Sequence, residues 1–222
     1  MIKRDRIGIF GGTFNPVHRG HIQAAAAVQK RFSLGRVLFV PAFIPPHKVT
    51  AGIASPQDRM GMIKSALRRY SRLVPSPVEI EAGGTSYSIR TLDKVRGRYP
   101  GAWIFFILGV DAFLEIKTWK KWKHLLEEGL FIVMTRPGHR LRRVHRILGM
   151  AFKNRIFEIP KSARIREHWF SQYKIFLVPI DAADISSTDI RSRIREGKAI
   201  KGLVPGPVEK HIRERRLYVK TK

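Results

Sequence analysis

The residues best suited to chemistry in this chain of 222 are two histidines three apart, His18 and His21, flanking Arg19-Gly20. They close the segment Gly11-Gly12-Thr13-Phe14-Asn15-Pro16-Val17-His18-Arg19-Gly20-His21, which follows the short apolar stretch Arg6-Ile7-Gly8-Ile9-Phe10. Paired glycines behind a strand let the backbone turn sharply and bring its N–H groups close to an anion. Where a helix then begins, unpaired N–H groups and the macrodipole already favour phosphate. Two imidazoles at that point can donate hydrogen bonds to phosphate oxygens without supplying a fixed full charge. The plainer alternative is a strand-to-helix turn that carries two surface histidines.

A second group of such residues lies near the other end, in Asp184-Ile185-Ser186-Ser187-Thr188-Asp189-Ile190-Arg191. It follows the last apolar run and opens a helix, so hydroxyls and backbone N–H groups crowd one helix start. Arg191, one turn in, can reach back to whatever binds there. The competing reading is an ordinary cap, with Ser186 or Ser187 satisfying the first turn and Arg191 solvated.

Composition narrows the chemistry. There is no cysteine, which removes disulfide scaffolds, thiolate zinc sites and cysteine nucleophiles together. Lys and Arg number 43 against 17 Asp and Glu, a formal charge of +26, and an apolar share of 44% fits a folded core. Such a charge suggests nucleic acid as a partner. The basic residues are spread along the chain and interrupted by apolar ones, however, so they read as basic faces of folded elements. Any nucleic-acid binding is then incidental, and what the charge predicts is a welcome for anions. No apolar run approaches the ~18 residues of a membrane span. Too few apolar residues follow the charged start for a secretory signal, so a cytoplasmic protein without membrane contact is expected. Self-association is left open.

The elements that must position these groups alternate between short apolar strands and helical patterns, the sign of a parallel sheet wrapped by helices. Strands are expected at Arg6–Phe10, Arg36–Val40, Ala102–Leu108, Leu130–Met134 and Lys174–Val178, with Val78–Glu81 as an exposed or edge strand. Ala102–Leu108 is the most apolar of them and the candidate for a central position. Helices are expected at His21–Phe32, from a Ser55 cap to about Tyr70, and at Tyr87–Arg98. Further ones are read around Trp119–Glu127, near Arg142–Met150, at Thr188–Glu196 and at Val208–Arg215, with Trp169 buried. This is an α/β chain, a Rossmann-like doubly wound parallel sheet in one domain over 1–222, with a C-terminal helical part from about 185. In such a sheet ligands sit at the carboxyl ends of the strands, and the suggestive loops all follow strands.

His18-Arg19-Gly20-His21 near one end, with Ile185-Ser186-Ser187-Thr188-Asp189-Ile190-Arg191 near the other, resembles the nucleotidylyltransferase superfamily. Within it the sequence is most similar to the bacterial nicotinate-nucleotide adenylyltransferases. Pro45-Pro46-His47-Lys48, Ser86-Tyr87-Ser88, Leu108-Gly109-Val110-Asp111, Thr118-Trp119 and Thr135-Arg136-Pro137-Gly138 follow in the order of that family. The similarity thins between Gly138 and Lys174. Asn15 stands where the family commonly has Asp, and Ser88 where it commonly has Thr.

The resemblance implies transfer of AMP from ATP to the 5′-phosphate of nicotinate mononucleotide, giving deamido-NAD and pyrophosphate. The acceptor phosphate is itself the nucleophile, so catalysis reduces to alignment and charge stabilisation. By resemblance, His18 and His21 contact the ATP phosphates, His21 nearest the α-phosphate, and Arg191 completes the catalytic set. Gly11, Gly12, Thr13 and Phe14 approach the nucleotide, with Gly109, Asp111 and Arg136 on the adenosine side. Ser186, Ser187 and Thr188, with Arg191, hold the pyrophosphate end. Trp119 offers a flat face to the pyridine ring, Tyr87 and Ser88 meet the nicotinate carboxylate, and Lys48 meets the acceptor phosphate. Mg²⁺ rides on the ATP phosphates, with no protein metal site. Other readings stay open: an enzyme preferring the nicotinamide mononucleotide, another small-molecule nucleotidylyltransferase, or a basic RNA-binding protein.

Overall fold

The computed structural model describes residues 4–46, 52–135 and 142–219. Seven strands form one all-parallel sheet: β1 (Arg6–Gly12), β2 (Arg36–Pro41), β3 (Leu73–Pro75), β4 (Trp103–Gly109), β5 (Leu130–Thr135), β6 (Ile156–Glu158) and β7 (Ile175–Pro179). Their order across the sheet is β3-β2-β1-β4-β5-β7-β6. The chain therefore winds outward twice from the β1–β4 boundary, which is the doubly wound arrangement expected. β4 lies between β1 and β5, as its continuous apolar run predicts.

Side chains alternate across each strand, so one run feeds two cores. Phe10, Phe105, Ile107, Ile132 and Phe176 point to one face. That face is covered by α1 (Arg19–Phe32), α2 (Pro56–Leu67) and the two C-terminal helices. Ile7, Ile9, Ile104, Phe106, Phe131 and Leu177 point to the other. There they meet α3 (Val78–Ala82), α4 (Ser88–Arg98), α5 (Val110–Leu114), α6 (Trp122–Glu128), α7 (Arg142–Leu148) and α8 (Met150–Lys153). A short helix α9 (Trp169–Gln172) precedes β7, and α10 (Ser187–Arg195) and α11 (Gly206–Glu214) end the fold. No helix among the described residues is long and apolar enough to cross a membrane.

Three expectations need correction. Val78–Glu81 is helix α3, not a strand, and the sheet edge on that side is Leu73–Pro75. Pro75 and Pro77 lack the N–H groups a ladder needs, and a four-residue Val-Glu-Ile-Glu alternation also fits one turn of helix. The segment around Trp119 is split: a 3₁₀ turn at Ile116–Thr118 ends on Trp119 in extended conformation, and α6 starts only at Trp122. Trp169 is half-buried, and its neighbour Phe170, 1% exposed, fills the core instead. Strand β6 had not been read from the sequence, because three residues carry too little periodicity to register.

Candidate active site

Helix α1 is capped by the two histidines themselves. His18 is the N-cap, and its Nδ1 accepts the backbone N–H of His21 at 3.3 Å, while Nδ1 of His21 accepts the backbone N–H of His18 at 3.3 Å. The rings stack with centroids 3.5 Å apart. Because both Nδ1 atoms are acceptors, each neutral ring carries its proton on Nε2. Burial pushes His18 down to about 4, so it is neutral near pH 7. The arrangement is thus a pair of oriented, uncharged Nε2–H donors at the start of a 14-residue helix, next to the carboxyl end of β1.

Gly20 lets this pair exist. A Cβ there would stand 2.7 Å from the Ala183 carbonyl oxygen and 3.2 Å from Nδ1 of His18. Gly11 and Gly12 behave differently from expectation, since both remain in strand β1 without positive φ. The turn falls at Phe14, with φ +50°, followed by a cis Asn15–Pro16 bond. Open space surrounds the Cβ position of Gly11, which leaves the backbone there approachable from the cleft. Phe14 is 3% exposed and packs against Phe10, Phe39 and His21, so its ring supports His21 rather than offering a free stacking face.

The C-terminal motif is clamped onto this loop. Ser187 Oγ donates to the Pro16 carbonyl at 2.9 Å, and Arg191 Nη1 donates to the Asn15 carbonyl at 2.8 Å. Arg191 Nη2 also reaches Thr188 Oγ1 at 3.3 Å. Ser186 caps α10 by accepting from the Thr188 N–H at 3.2 Å. The cap and the phosphate-facing reading are therefore compatible: Ser186 does the capping, while Arg191 spends two of its five N–H groups and keeps the rest.

A cleft of about 250 Å³ opens over the β1–β4 boundary; His18, His21 and Arg191 do not line it, and the loop after Thr13 in its wall leads to them. It gathers Gly11, Gly12 and Thr13 with Tyr87, Ser88 and Trp119, residues from three distant segments that the sequence had nominated. Tyr87 is the N-cap residue of α4, whose first turn has no side-chain cap; the N–H groups of Arg90 and Thr91 donate to the Tyr87 carbonyl, which leaves those of Ser88 and Ile89 for a ligand. Gly109 and Asp111 are exposed at the start of α5 next to the cleft-lining Ala112, outside the cleft wall. Lys48 and Arg136 lie outside the described residues.

Three residues of the site were not found from sequence. Lys120 lines the cleft with its Nζ 4.4 Å from the centre of the Tyr87 ring. Glu79 also lines it, takes the Thr91 hydroxyl, and is pushed above the usual carboxylate range by burial. Arg59, fully buried, donates to the carbonyls of Ala54 at 3.0 Å, Thr13 at 3.0 Å and Phe43 at 3.2 Å, tying three loops around the cleft. Arg59 was hidden because its position in α2 reads as an ordinary charged residue; Glu79 was hidden by the strand reading of its segment.

A cleft at the switch point of a doubly wound sheet, with paired neutral histidines where the loop after β1 enters α1 and an arginine clamped to that loop, defines a nucleotide-binding α/β protein. A cytidylyltransferase-like family model matches residues 9–193. A probable nicotinate-nucleotide adenylyltransferase of Desulfatibacillum aliphaticivorans is 39% identical over 96% of this chain and 100% of its own length. One from Geotalea daltonii is 38% identical over 96% of this chain and 98% of its own. Among solved structures, Plasmodium falciparum nicotinic acid mononucleotide adenylyltransferase complexed with NaAD superposes with a TM-score of 0.72 at 18% identity, covering 97% of this chain and 98% of that one. The chain belongs to the cytidylyltransferase-like family, among the nicotinate-nucleotide adenylyltransferases.

Proposed function

We propose that this protein transfers the adenylyl group of ATP to the 5′-phosphate of nicotinate mononucleotide, forming deamido-NAD and releasing pyrophosphate. The observation that carries this reading is the single loop that runs from Gly11, Gly12 and Thr13, in the wall of the cleft with Tyr87, Ser88 and Trp119, to the His18–His21 donor pair. The acceptor phosphate oxygen attacks the α-phosphorus, the bond to the bridging oxygen breaks, and pyrophosphate leaves. Nothing in that exchange needs a protein nucleophile; it needs two substrates aligned and developing charge met by donors.

The Nε2–H groups of His18 and His21 supply such donors without the cost of burying a cation, and the remaining N–H groups of Arg191 meet the pyrophosphate end. Ser187 fixes the helix that carries Arg191. On the acceptor side, Trp119 stacks on the pyridine ring, and the uncapped start of α4 at Tyr87 and Ser88 takes the nicotinate carboxylate. That preference for an anion at a helix start favours the acid over the neutral amide. Mg²⁺ is assigned to the triphosphate and water. A cytoplasmic setting follows from the substrates.

Purified protein with ATP, Mg²⁺ and nicotinate mononucleotide should release pyrophosphate, and much faster than with nicotinamide mononucleotide. His21→Ala should lower turnover by ~100-fold or more, the scale of losing one transition-state donor. Equal rates with both acceptors overturn the assignment of the α4 start; no release with either overturns the function.

A further inference from the structure

A hollow of about 710 Å³ shares no lining residue with the cleft described above. Its walls are the outer face of the first turn of α1 (Arg19, Ile22, Gln23), the end of α2 with the turn after it (Ser65 to Tyr70), and the start of α11 (Pro205 to Pro207). Three arginines line it, Arg19, Arg68 and Arg69, and no carboxylate does. None of the three guanidinium groups has a hydrogen-bond or ion-pair partner among the described residues, whereas Arg6, Arg96, Arg98, Arg193 and Arg215 elsewhere are all paired. Ile22 and Ala66 give the hollow an apolar floor, and Tyr70, 43% exposed, gives it an aromatic wall.

A formal charge of +26 puts arginines on most faces, so exposure of three more is ordinary. Their convergence on one concave, apolar-floored space is not, and its volume falls within the ~300–1,000 Å³ of small-molecule sites. We propose that this groove is a second, non-reacting site for a phosphorylated ligand of nucleotide size. The guanidinium groups take the phosphates by paired N–H donation, as arginine forks do. Tyr70 offers its ring face to the base, a contact that accepts any base because every one has a π-face. Arg19 sits beside His18 in the chain, so the ligand would lie against the helix that carries the catalytic pair, without access to the cleft itself.

The test is site-resolved labelling with 8-azido-ADP, followed by peptide mapping on the full chain. The expected result is saturable labelling of the segments around Tyr70 and Pro205, in addition to any labelling of the cleft. Arg68→Ala/Arg69→Ala should weaken that labelling at least ten-fold while the thermal midpoint stays put, because neither side chain has a partner among the described residues. Tyr70→Ala should weaken it roughly five-fold or more, the lower end of base-stacking losses. Labelling confined to the cleft overturns the proposal. So does diffuse, non-saturating labelling that the double substitution leaves unchanged, the mark of general attraction to a basic surface.

Discussion

The Tyr218 hydroxyl donates to Oδ1 of Asn15 at 2.7 Å, joining the turn after α11 to the loop that carries His18. Asn15 is 4% exposed, and the same Oδ1 accepts the Ala54 N–H at 3.0 Å while Nδ2 donates to the Gly52 carbonyl at 3.1 Å. Its backbone carbonyl is the one gripped by Arg191. The amide is thus used as both donor and acceptor. Burial pushes the Tyr218 phenol well above its ordinary value, so it remains a donor throughout the working range. Tyr218→Phe removes one buried bond worth about 1 kcal/mol. The expected outcome is a thermal midpoint roughly 2–4 °C lower, with turnover changed only a few-fold, read by calorimetry and pyrophosphate release.

His18 makes stability depend on pH in a defined window. Its folded value, near 4, lies below the ordinary 6.5, so the unfolded chain binds a proton more readily. Stability is unaffected above about 6.5, falls as pH drops toward 4, and levels off below; the ceiling is about 3 kcal/mol. His18→Asn keeps an N-cap oxygen but cannot titrate. Urea unfolding at pH 7.5 and pH 5 should show the wild type losing stability and the variant losing markedly less. An equal loss in both would place the titration elsewhere.

Gly20→Ala tests the close approach that shapes the histidine pair. The obstructing atom is the backbone oxygen of Ala183, which cannot swing aside as a side chain would. Relieving it must shift the segment ahead of α10 or the His18 ring. Overpacking of this kind costs about 1–3 kcal/mol, and turnover should fall by more than the stability loss explains, because Arg191 and His18 move relative to each other. Unchanged melting and turnover would mean that the approach is looser in solution.

The strands and long helices were legible because their signals are local: Ala102–Leu108 declares itself by an unbroken apolar run, Ser55-Pro56 by a cap and a first-turn proline. The histidine and serine motifs were legible as types at a spacing. What could not be read was contact between distant segments. Nothing in the order of residues shows that the Ser187 hydroxyl meets Pro16, that Gly20 is small because Ala183 passes over it, or that Tyr218 completes Asn15. Val78–Glu81 failed for the opposite reason: a local alternation too short to separate two periods, decided by flanking prolines.

Arg59 shows how such a hidden contact can be weighed. Arg59→Met keeps the length and apolar stem but leaves the carbonyls of Thr13, Phe43 and Ala54 without their donor. Unsatisfied buried acceptors cost ~1–3 kcal/mol each, so a loss of about 3 kcal/mol or more is expected by denaturant unfolding. Arg59→Lys should recover little, since one ammonium cannot span three carbonyls spread around a planar fork.

Trp119 separates the two halves of the proposed reaction. Its ring is half-buried at the end of a 3₁₀ turn, where it lines the cleft and packs against the edge of the core, so the variants are read by KM in folded protein. If it stacks on the pyridine ring, Trp119→Ala loses a contact worth ~1–3 kcal/mol. KM for nicotinate mononucleotide should then rise about ten-fold or more, with KM for ATP within two-fold of wild type. Trp119→Phe, which keeps a face, should recover most of the loss. A rise in KM for ATP instead would move Trp119 to the adenosine side; no change in either would leave it a wall residue and shift acceptor recognition onto Tyr87 and Lys120, whose ring and ammonium already meet at 4.4 Å.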